Sequence, residues 1–513
     1  MSEPHKPERF LDHVGIPFPV TGIWYLLPAA ITFGLIGLVP LHTWDYWWHA
    51  TLGHIINSRA AIPTQQIFLF TAPDSALPPQ PWLGQLLTAV GQAAAGVYPA
   101  LILRNVIAAA GVWWMTRIAI QRTGDVRRGA LIILTAVPFV VAGVGTGPLI
   151  FGWGLFGASI ALGYWLRSGA NGWWGLGFPC ITAAWANLAP GFPVALCLVI
   201  LFAADSLIRE GRARVRLWGL TLVGSFAGVA ATPYGFEMYT RYIDALPELV
   251  TIEPPALASL STIWLILSLA LSGWILAAER NAFEPVEGLM VAVFGPATLL
   301  FSQTTMAWWA IIWVLIATRS GGVSMVESRE ETSSRRSRAN QVAATLGGIL
   351  LLILPSLVQP VFAWRTEWTA ESPRFETRSR PPMKGVVPAD APWAAVEILK
   401  KRAVLPRLFH AQNYSGFLAY FMLRDRPRRI LFTAPPRILG KDAQPGTYRL
   451  ASRRPNVWRG LVHQYDFGAV VLETSSQGRL VEELNSSDAW WTIAQKDGYA
   501  FFLQRTSDEP PTQ

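Results

Sequence analysis

Long stretches of uncharged, apolar residues recur along the chain from about residue 23 to residue 363, and they limit what it can fold into. A helix that crosses the roughly 30 Å hydrocarbon core of a bilayer needs about 20 mostly apolar residues. Only 15% of the residues are charged, whereas a soluble chain carries about 25%. We therefore predict a multi-pass, all-α membrane bundle of about eleven transmembrane helices. The predicted crossings are 23–40, 98–118, 130–146, 148–166, 173–189, 191–208, 217–232, 262–278, 288–302, 306–318 and 342–363.

The rest of the composition excludes several other classes of protein. A net charge of +9 over 513 residues is modest and no nucleic-acid-binding motif accompanies it, so we expect no nucleic-acid partner. Cys180 and Cys197 both lie inside apolar runs, which argues against a disulfide or cysteine-based metal framework. The 24 tryptophans fit a membrane protein, because indole rings favour the membrane–water interface.

Arginine-rich connections predict the orientation of the chain. Basic residues in short loops concentrate on the cytoplasmic side, and an even number of predicted crossings separates these connections from one another. The arginines are Arg117, Arg122, Arg127, Arg128, Arg209, Arg212, Arg214, Arg216, Arg319, Arg329, Arg335, Arg336 and Arg338. We therefore expect a multi-pass membrane protein with residues 1–22 in the cytoplasm. Residues 41–97, residues 233–261 and everything after 365 would then lie outside.

The sequence after the last crossing changes to the alternation typical of soluble domains. Residues 364–391 are rich in proline and predict an extended linker. Residues 392–513 predict a C-terminal soluble α/β domain outside the membrane. Its predicted helices are 392–402 and 475–484, and its predicted strands are 429–432, 469–472 and 499–503. No phosphate-binding or hydrolase motif opens any of these units.

The first outer loop, 41–97, contains two stretches that are too polar or too short to cross a membrane. Residues 44–58 and 82–97 predict two helices at the membrane surface, since a crossing at 82–97 would put all three arginine-rich loops on the wrong side of the membrane. Trp44, Trp47 and Trp48 would face lipid and anchor the first of these helices at headgroup depth.

Three polar residues of that loop form the first candidate site. His42, Asp45 and His49 are spaced i, i+3 and i+7, so a helix would place them on one face. Two imidazoles and a carboxylate could bind a divalent metal such as Mg²⁺ or Mn²⁺, with Asp45 as its central ligand. Asp45 and His49 could instead supply acid–base chemistry. The alternative is that all three are solvated residues on the wet face of an interfacial helix.

Four residues are candidates for substrate binding, namely His42, Arg104, Tyr234 and Glu253. Arg104 lies a few residues inside a predicted crossing, where its guanidinium could hold a lipid phosphate or could snorkel to the interface. Glu253 belongs to an acidic outer segment and could face the first loop across a cavity. It could equally be a solvated loop carboxylate.

Landmarks along nearly the whole chain resemble a known family. The run Trp44-Asp45-Tyr-Trp-Trp48-His49, followed by Ile62-Pro63, Phe70-Thr71 and Trp82-Leu83, resembles the first outer loop of bacterial membrane proteins with a GT-C-type glycosyltransferase fold. Later landmarks in the same order are Trp185-Ala-Asn187, Gly191-Phe192, Pro233-Tyr234-Gly235, Tyr414-Ser-Gly416-Phe417, Tyr465-Asp-Phe-Gly468, Trp490 and Asp497-Gly498.

The resemblance implies a multi-pass helical core whose first outer loop carries an acidic active-site residue. That site would transfer a sugar from a polyprenyl-phosphate donor to an acceptor on the outer face of the membrane. Asp45 would be the carboxylate carried over, orienting the acceptor or a metal. Many families of this fold use a second carboxylate as well.

Several polar positions of the family pattern are replaced in this chain. Gln66 stands where relatives have an Asp, Pro81 where they have a Glu, and Ala189-Pro190 where they have a His. Thr304 or Thr305 replaces an expected Arg, and Thr433-Ala-Pro435 replaces an Asp-Gly-Arg-like triplet. A carboxylate that deprotonates or coordinates loses its charge when Gln or Pro replaces it.

Two main hypotheses about function therefore stay open. The chain is either a GT-C-like glycosyltransferase acting on a lipid-linked sugar, or a relative that has lost catalysis and serves as a structural or assembly subunit of a larger membrane complex. A transporter is a weaker third hypothesis, because the crossings lack inward-facing acids and paired broken helices.

Overall fold

A computed structural model describes most of the chain. The described residues are 22–37, 39, 41, 45–72, 75–77, 79–145, 147–169, 172–211, 214–250, 260–278, 284–300, 303–319, 391–402, 405–433, 448, 450–452, 454–496 and 498–505. The predicted crossing at 342–363 and the predicted linker, 364–391, lie outside them, except for Ala391.

Helices make up the first part of the chain. They are α1 (Gly22–Gly37), α2 (Asp45–Arg59), α3 (Trp82–Ala95), α4 (Val97–Thr123), α5 (Val126–Gly143), α6 (Pro148–Arg167), α7 (Gly177–Leu188), α8 (Pro193–Glu210), α9 (Val215–Val229), α10 (Glu237–Val250), α11 (Leu260–Ala278), α12 (Pro285–Leu300) and α13 (Gln303–Ala317). Every predicted crossing between residues 23 and 318 coincides with one of these helices, with ends that differ by five residues or fewer.

Three helices of the described part are long and apolar enough to cross a bilayer, namely Val126–Gly143, Pro148–Arg167 and Ser261–Ala278. Shorter apolar helices are Gly22–Gly37, Val215–Val229, Pro285–Leu299 and Thr305–Ala317. The protein is therefore mostly helical and has membrane-capable helices, while the total of about eleven crossings stays a prediction.

Two glycines bring α3 against its neighbours at backbone distance. A Cβ atom built on Gly53 of α2 would lie 2.0 Å from the carbonyl oxygen of Gln85. One built on Gly84 would lie 2.0 Å from the carbonyl oxygen of Leu188, at the end of α7. Any larger side chain would push these helices apart, so α2, α3 and α7 form one tightly packed group.

The C-terminal part, which we call the tail, contains a four-stranded sheet in the order β1-β2-β4-β3. Its strands are β1 (Leu408–His410), β2 (Ala469–Glu473), β3 (Trp490–Lys496) and β4 (Tyr499–Gln504). β1 and β2 are parallel, and the other pairs are antiparallel. Around the sheet lie α14 (Trp393–Lys400), α15 (Ser415–Leu418), a π-helical turn (Ala419–Leu423), α16 (Pro455–Tyr465) and α17 (Thr474–Asn485).

The predicted strand at 429–432 is wrong, because this segment forms isolated bridges centred on Leu431 and not a continuous strand. Leu431 forms isolated parallel bridges with Leu408 of β1 and with Leu69 of the first outer loop. Its amide donates to the carbonyl of Phe68 at 3.0 Å, and its carbonyl accepts from the amide of Phe70 at 3.2 Å. The outer loop thus continues the edge of the tail sheet, and both segments lie on the same side of the bundle.

α2 is enclosed by protein and does not lie at the membrane surface as predicted. Trp47 and Trp48 are both 0% exposed, so neither faces lipid. The Trp47 ring lies 4.9 Å from the rings of Tyr420 and Phe421 in the tail, and the Trp48 ring lies 5.3 Å from Phe68. Residues of the first outer loop and of the tail form one hydrophobic core. The apolar side chains of this helix pack against protein. The sequence pattern alone could not distinguish such a protein interface from a lipid interface.

The ends of the bundle helices lie on two sides. Val97, at the start of α4, belongs to the core shared with the tail, and a Cβ atom on Gly147, just before α6, would contact Tyr46 of α2 at 3.7 Å. α4 then runs for 27 residues, about 40 Å, away from the tail. We call the opposite side, where α4 and α6 end, the far end.

We predict that the shared core depends on Trp47. Trp47→Ala should lower the free energy of unfolding by about 3–5 kcal/mol, because it leaves a cavity between α2 and the tail. Denaturant titration of the purified chain in detergent measures this change. Trp173→Ala is the matched control, since Trp173 is 76% exposed and should change the unfolding free energy little. Equal losses for the two variants would contradict the shared core.

We also predict a pH-dependent stability of the tail through His410. Burial lowers the pKa of His410 to about 4, from an unfolded value of about 6.5. Between these values the unfolded chain binds more protons, so stability is complete above pH 6.5 and falls as the pH drops toward 4. The loss should reach about 3 kcal/mol. Unfolding titrations at several pH values should show this slope in wild type and in His463→Gln, an exposed control, but not in His410→Gln.

Candidate functional site

His49 lies inside α2, and neutral amides surround it. Its imidazole is buried, and its Nδ1 atom lies 3.0 Å from Nε2 of Gln85. The same Gln85 nitrogen donates to Oε1 of Gln80 at 2.9 Å. Gln66, which stands where the family pattern has an acid, is also fully buried. His49 is therefore held by protein groups, and its prediction as a residue in direct contact with substrate does not fit this position.

The other members of the first predicted site are described less fully. The backbone of Asp45 begins α2, but its side chain lies outside the described part, as does all of His42. Glu253 also falls outside it. Next to Asp45, the buried hydroxyl of Tyr46 has no hydrogen-bond partner among the described residues. This hydroxyl is a polar group in the first turn of α2 that a ligand could contact.

The described residues do not supply a metal site. They contain no group of three or more His, Cys, Asp or Glu side chains that could hold a metal ion. Of the three donors predicted for such a site, only His49 has a described side chain, and one of its ring nitrogens already contacts Gln85. Amide groups around it do not form the charged donor set that Mg²⁺ or Mn²⁺ prefers.

Arg104 caps a helix of the bundle. Its side chain is buried, and its Nη2 atom donates to the carbonyl oxygens of Ile36 at 2.7 Å and Val39 at 2.9 Å. These carbonyls lie at the C-terminal end of α1, where backbone acceptors have no partner within the helix. The contacts satisfy the guanidinium within the protein, so Arg104 neither snorkels to the interface nor needs a lipid phosphate to account for its burial.

A cavity of about 710 Å³ opens on the tail side of the bundle, and we call it the outer cavity. Its volume lies within the range usual for small-molecule sites. The lining residues come from the end of α2, the start of α3 and the segment that leads into α10. They are Ile56, Asn57, Ala60, Ala61, Ile62, Thr64, Trp82, Leu86, Pro233, Tyr234, Glu237 and Arg241. Of the predicted site residues, Tyr234 lines this cavity.

Arg241 and Glu237 are the charged side chains of the outer cavity. Oε2 of Glu237 accepts from Nε of Arg241 at 3.1 Å and from Nη2 at 2.7 Å. Nη1 of Arg241 is buried and has no hydrogen-bond partner among the described residues. The guanidinium also lies 5.6 Å from the centre of the Tyr234 ring. The carboxylate and the ring therefore hold the guanidinium in place on the cavity wall.

Tyr234 connects the outer cavity to the amides around His49. Its hydroxyl accepts a hydrogen bond from the backbone amide of Gln80 at 3.3 Å, and Gln80 in turn accepts from Gln85. Burial raises the pKa of Tyr234, so its hydroxyl stays protonated and can donate to a ligand. A continuous set of hydrogen-bonded groups thus runs from α2 to the cavity wall.

The structure places Asp45 and the outer cavity at opposite ends of α2. Asn57 lines the cavity and follows Asp45 by twelve positions, which corresponds to about 18 Å along the helix. The carboxylate on the cavity wall is instead that of Glu237. Sequence reasoning did not select Glu237 or Arg241, although their i, i+4 spacing could have indicated an oriented pair on one helix face.

The landmark Trp185-Ala-Asn187 joins three parts of the bundle. Oδ1 of Asn187 accepts from the indole Nε1 of Trp82 at 2.5 Å, and its amide nitrogen donates to the carbonyl of Ala231 at 3.0 Å. Because Trp82 also lines the outer cavity, Asn187 fixes one wall of that cavity.

No family model and no curated protein matches the chain, but solved structures do. ArnT from Cupriavidus metallidurans bound to undecaprenyl phosphate has 13% identity and a TM-score of 0.48, covering 96% of this chain and 99% of that one. The oligosaccharyltransferase AglB from Archaeoglobus fulgidus, in complex with an inhibitory peptide and a dolichol-phosphate, has 10% identity and a TM-score of 0.48. The match covers 95% of this chain and 75% of AglB.

A third match is the apo form of the Archaeoglobus fulgidus oligosaccharyltransferase, with 10% identity, a TM-score of 0.38, and coverage of 95% of this chain and 75% of that one.

Proposed function

We propose that the chain is a GT-C-like membrane glycosyltransferase that binds a polyprenyl-phosphate-linked sugar at the outer cavity. One observation carries this proposal: a ligand-sized cavity has an arginine oriented by Glu237 on its wall, next to apolar and aromatic side chains. A lipid-linked sugar phosphate presents the same combination of an anion, hydroxyl groups and apolar carbon. Arg241 would hold the phosphate through a charge-assisted hydrogen bond.

Access from the membrane supports the same assignment. Phe236 and Ile243, on the segment that carries Glu237 and Arg241, are each 61% exposed. Tyr239 of α10 stacks on Phe226, whose exposed side chain belongs to α9. An amphipathic helix with one apolar face in the lipid interface and polar groups on another face could admit a lipid chain beside the cavity.

The transfer step needs a carboxylate near the acceptor. The bond between the sugar's anomeric carbon and the phosphate oxygen breaks, a bond to the acceptor oxygen forms, and the acceptor hydroxyl gives its proton to a base. The resemblance assigns this role to Asp45, whereas Glu237 is the carboxylate on the cavity wall. Since Asp45 lies at the other end of α2, the two assignments are tested separately.

A non-catalytic structural subunit is the second candidate, and a specific observation favours it. Gln85 and Gln80 are buried neutral amides linked to His49, Gln66 is buried as well, and the first half of α2 packs against the tail. Buried amides of this kind stabilise a fold, but they cannot replace a carboxylate that takes up a proton.

We predict different effects for the charged residues of the site. Arg241→Gln should weaken binding of undecaprenyl phosphate about tenfold or more, because a charge-assisted hydrogen bond is lost. If Asp45 is the base, Asp45→Asn should lower sugar transfer by about two orders of magnitude without weakening binding. If Glu237 is the base, Glu237→Gln should have that effect instead. Binding is measured by thermal shift in detergent, and transfer by complementation at matched expression. Asp488→Asn, an exposed tail substitution, is the control.

The outcomes separate the two candidate functions. If undecaprenyl phosphate binds and Arg241→Gln weakens it, but both carboxylate variants keep wild-type function, the chain has lost catalysis. If the wild-type protein does not bind undecaprenyl phosphate at all, the glycosyltransferase proposal is wrong.

We further propose that the tail lies outside the cytoplasm, in a bacterial inner membrane. Arg122 and Arg167 lie in the last turns of α4 and α6, and Arg214 directly precedes α9. Their helix ends lie at the far end, and the positive-inside rule assigns this side to the cytoplasm.

We predict that a thiol probe will distinguish the two sides. After Cys180 and Cys197 are replaced by Ser, Asp488→Cys in the tail should react with an impermeant reagent in cells with a permeabilised outer membrane. Gln121→Cys, an exposed position at the far end of α4, should react only after lysis. The reverse pattern would overturn the proposed orientation.

A further inference from the structure

Seven polar side chains meet where five helices end or begin, at the far end of the bundle. They are Arg122 of α4, Tyr164 and Arg167 of α6, Asp205 of α8, Glu284 and Glu287 beside and within α12, and Arg319 just after α13. We call them the far-end network. Its three arginines and three carboxylates balance in formal charge, and it shares no residue with the outer cavity.

Glu287 is the centre of the first half of the network. Its side chain is 0% exposed, and its Oε1 accepts from the Tyr164 hydroxyl at 2.8 Å. Arg122 approaches the same oxygen at 3.5 Å, and Arg319 contacts the other carboxylate oxygen. Nη1 of Arg122 also donates to the carbonyl of Leu315 at 3.3 Å. These contacts join α4, α6, α12 and α13.

Glu284 and Asp205 form the second half. Glu284 is contacted by Arg167 and by Nη2 of Arg319, the latter at 2.7 Å, so Arg319 bridges the two halves. Asp205, whose side chain is 1% exposed, lies 3.4 Å from Nε of Arg167. Its Oδ1 accepts from the backbone amide of Val286 at 3.0 Å, in the first turn of α12. A carboxylate is favourable at a helix N-terminus, so α8 and α12 are also joined.

We propose that the far-end network keeps the bundle closed at this end, so that ligands can enter its interior only from the side of the tail. Separating any of the five helices would leave a buried charge without its partner, which is strongly destabilising. A transporter with alternating access must open on both sides in turn. The network opposes such opening of this end. This inference does not depend on the proposed glycosyltransferase activity.

The test uses a buried serine beside the network as a reporter. Ser206 follows Asp205 on α8 and is 4% exposed. In a chain with Cys180 and Cys197 replaced by Ser, Ser206→Cys should react slowly with a maleimide reagent in detergent. Adding Glu284→Gln should raise its labelling rate about tenfold or more, because Arg167 and Arg319 then share an uncompensated charge and the far end opens more often.

Two controls separate local opening from other effects. Glu210→Gln removes a more exposed pair with Arg214 on the same side, 2.9 Å apart, and should leave the labelling rate of Ser206→Cys unchanged. Ser225→Cys is a second reporter, fully buried on α9 toward the tail side, and it should stay unreactive in the Glu284→Gln background. If Glu284→Gln does not fold, the near-isosteric Asp205→Asn takes its place.

The proposal is supported if Glu284→Gln accelerates labelling of Ser206→Cys but not of Ser225→Cys, and if Glu210→Gln accelerates neither. Rapid labelling with the network intact would show that the far end is already open. An unchanged rate in both network variants would show that these charges do not hold it closed. Equal acceleration at Ser206→Cys and Ser225→Cys would mean general unfolding. Any of these three results overturns the inference.

Discussion

The burial of two tryptophans between the first outer loop and the tail is the interaction on which this structure depends. Trp47 and Trp48 fill a core that neither segment could form alone, and Leu431 joins the backbones of both segments at the sheet edge. Gly53 lets α2 pack closely on α3, and Gly84 lets α3 pack closely on α7. Because α2 and α3 also line the outer cavity, a shift of the tail against α2 would move the cavity walls. The tail is therefore part of the site's support and not a separate module.

Sequence reasoning located the helices well because hydrophobic length is a local property. The sequence predicted the position of α2 but wrongly predicted that its tryptophans face lipid. Tryptophans among polar residues give the same pattern at a lipid interface and in a protein core. The partners of Trp47 lie more than 370 positions away, at Tyr420 and Phe421, and no local pattern connects them. The strand predicted at 429–432 failed for a related reason, because its pairing with the distant Leu408 and Leu69 is confined to isolated bridges at Leu431.

The site was predicted only in part, and the reasons are physical. Tyr234 lines the outer cavity, while Arg104 and His49 are satisfied by carbonyl and amide groups that spacing could not reveal. Asp45 begins α2, and the other end of α2 lines the outer cavity. The predicted carboxylate therefore lies on the same helix as the cavity but at the opposite end. The far-end charges were not predicted as a group, because they come from five different helices and only the tertiary fold assembles them.

The shared core also affects the order in which the chain can fold. Trp47 of α2 is synthesised early, whereas the tail rings that cover it begin with Phe417, 370 positions later. At about 5–20 residues per second, translation of the intervening chain takes roughly 20–75 seconds. During that interval the face of α2 that carries Trp47 lacks its partners from the tail. Biogenesis of this protein must therefore include a waiting period in which a chaperone, the insertion machinery or the lipid surface shields α2 until the last quarter of the chain arrives.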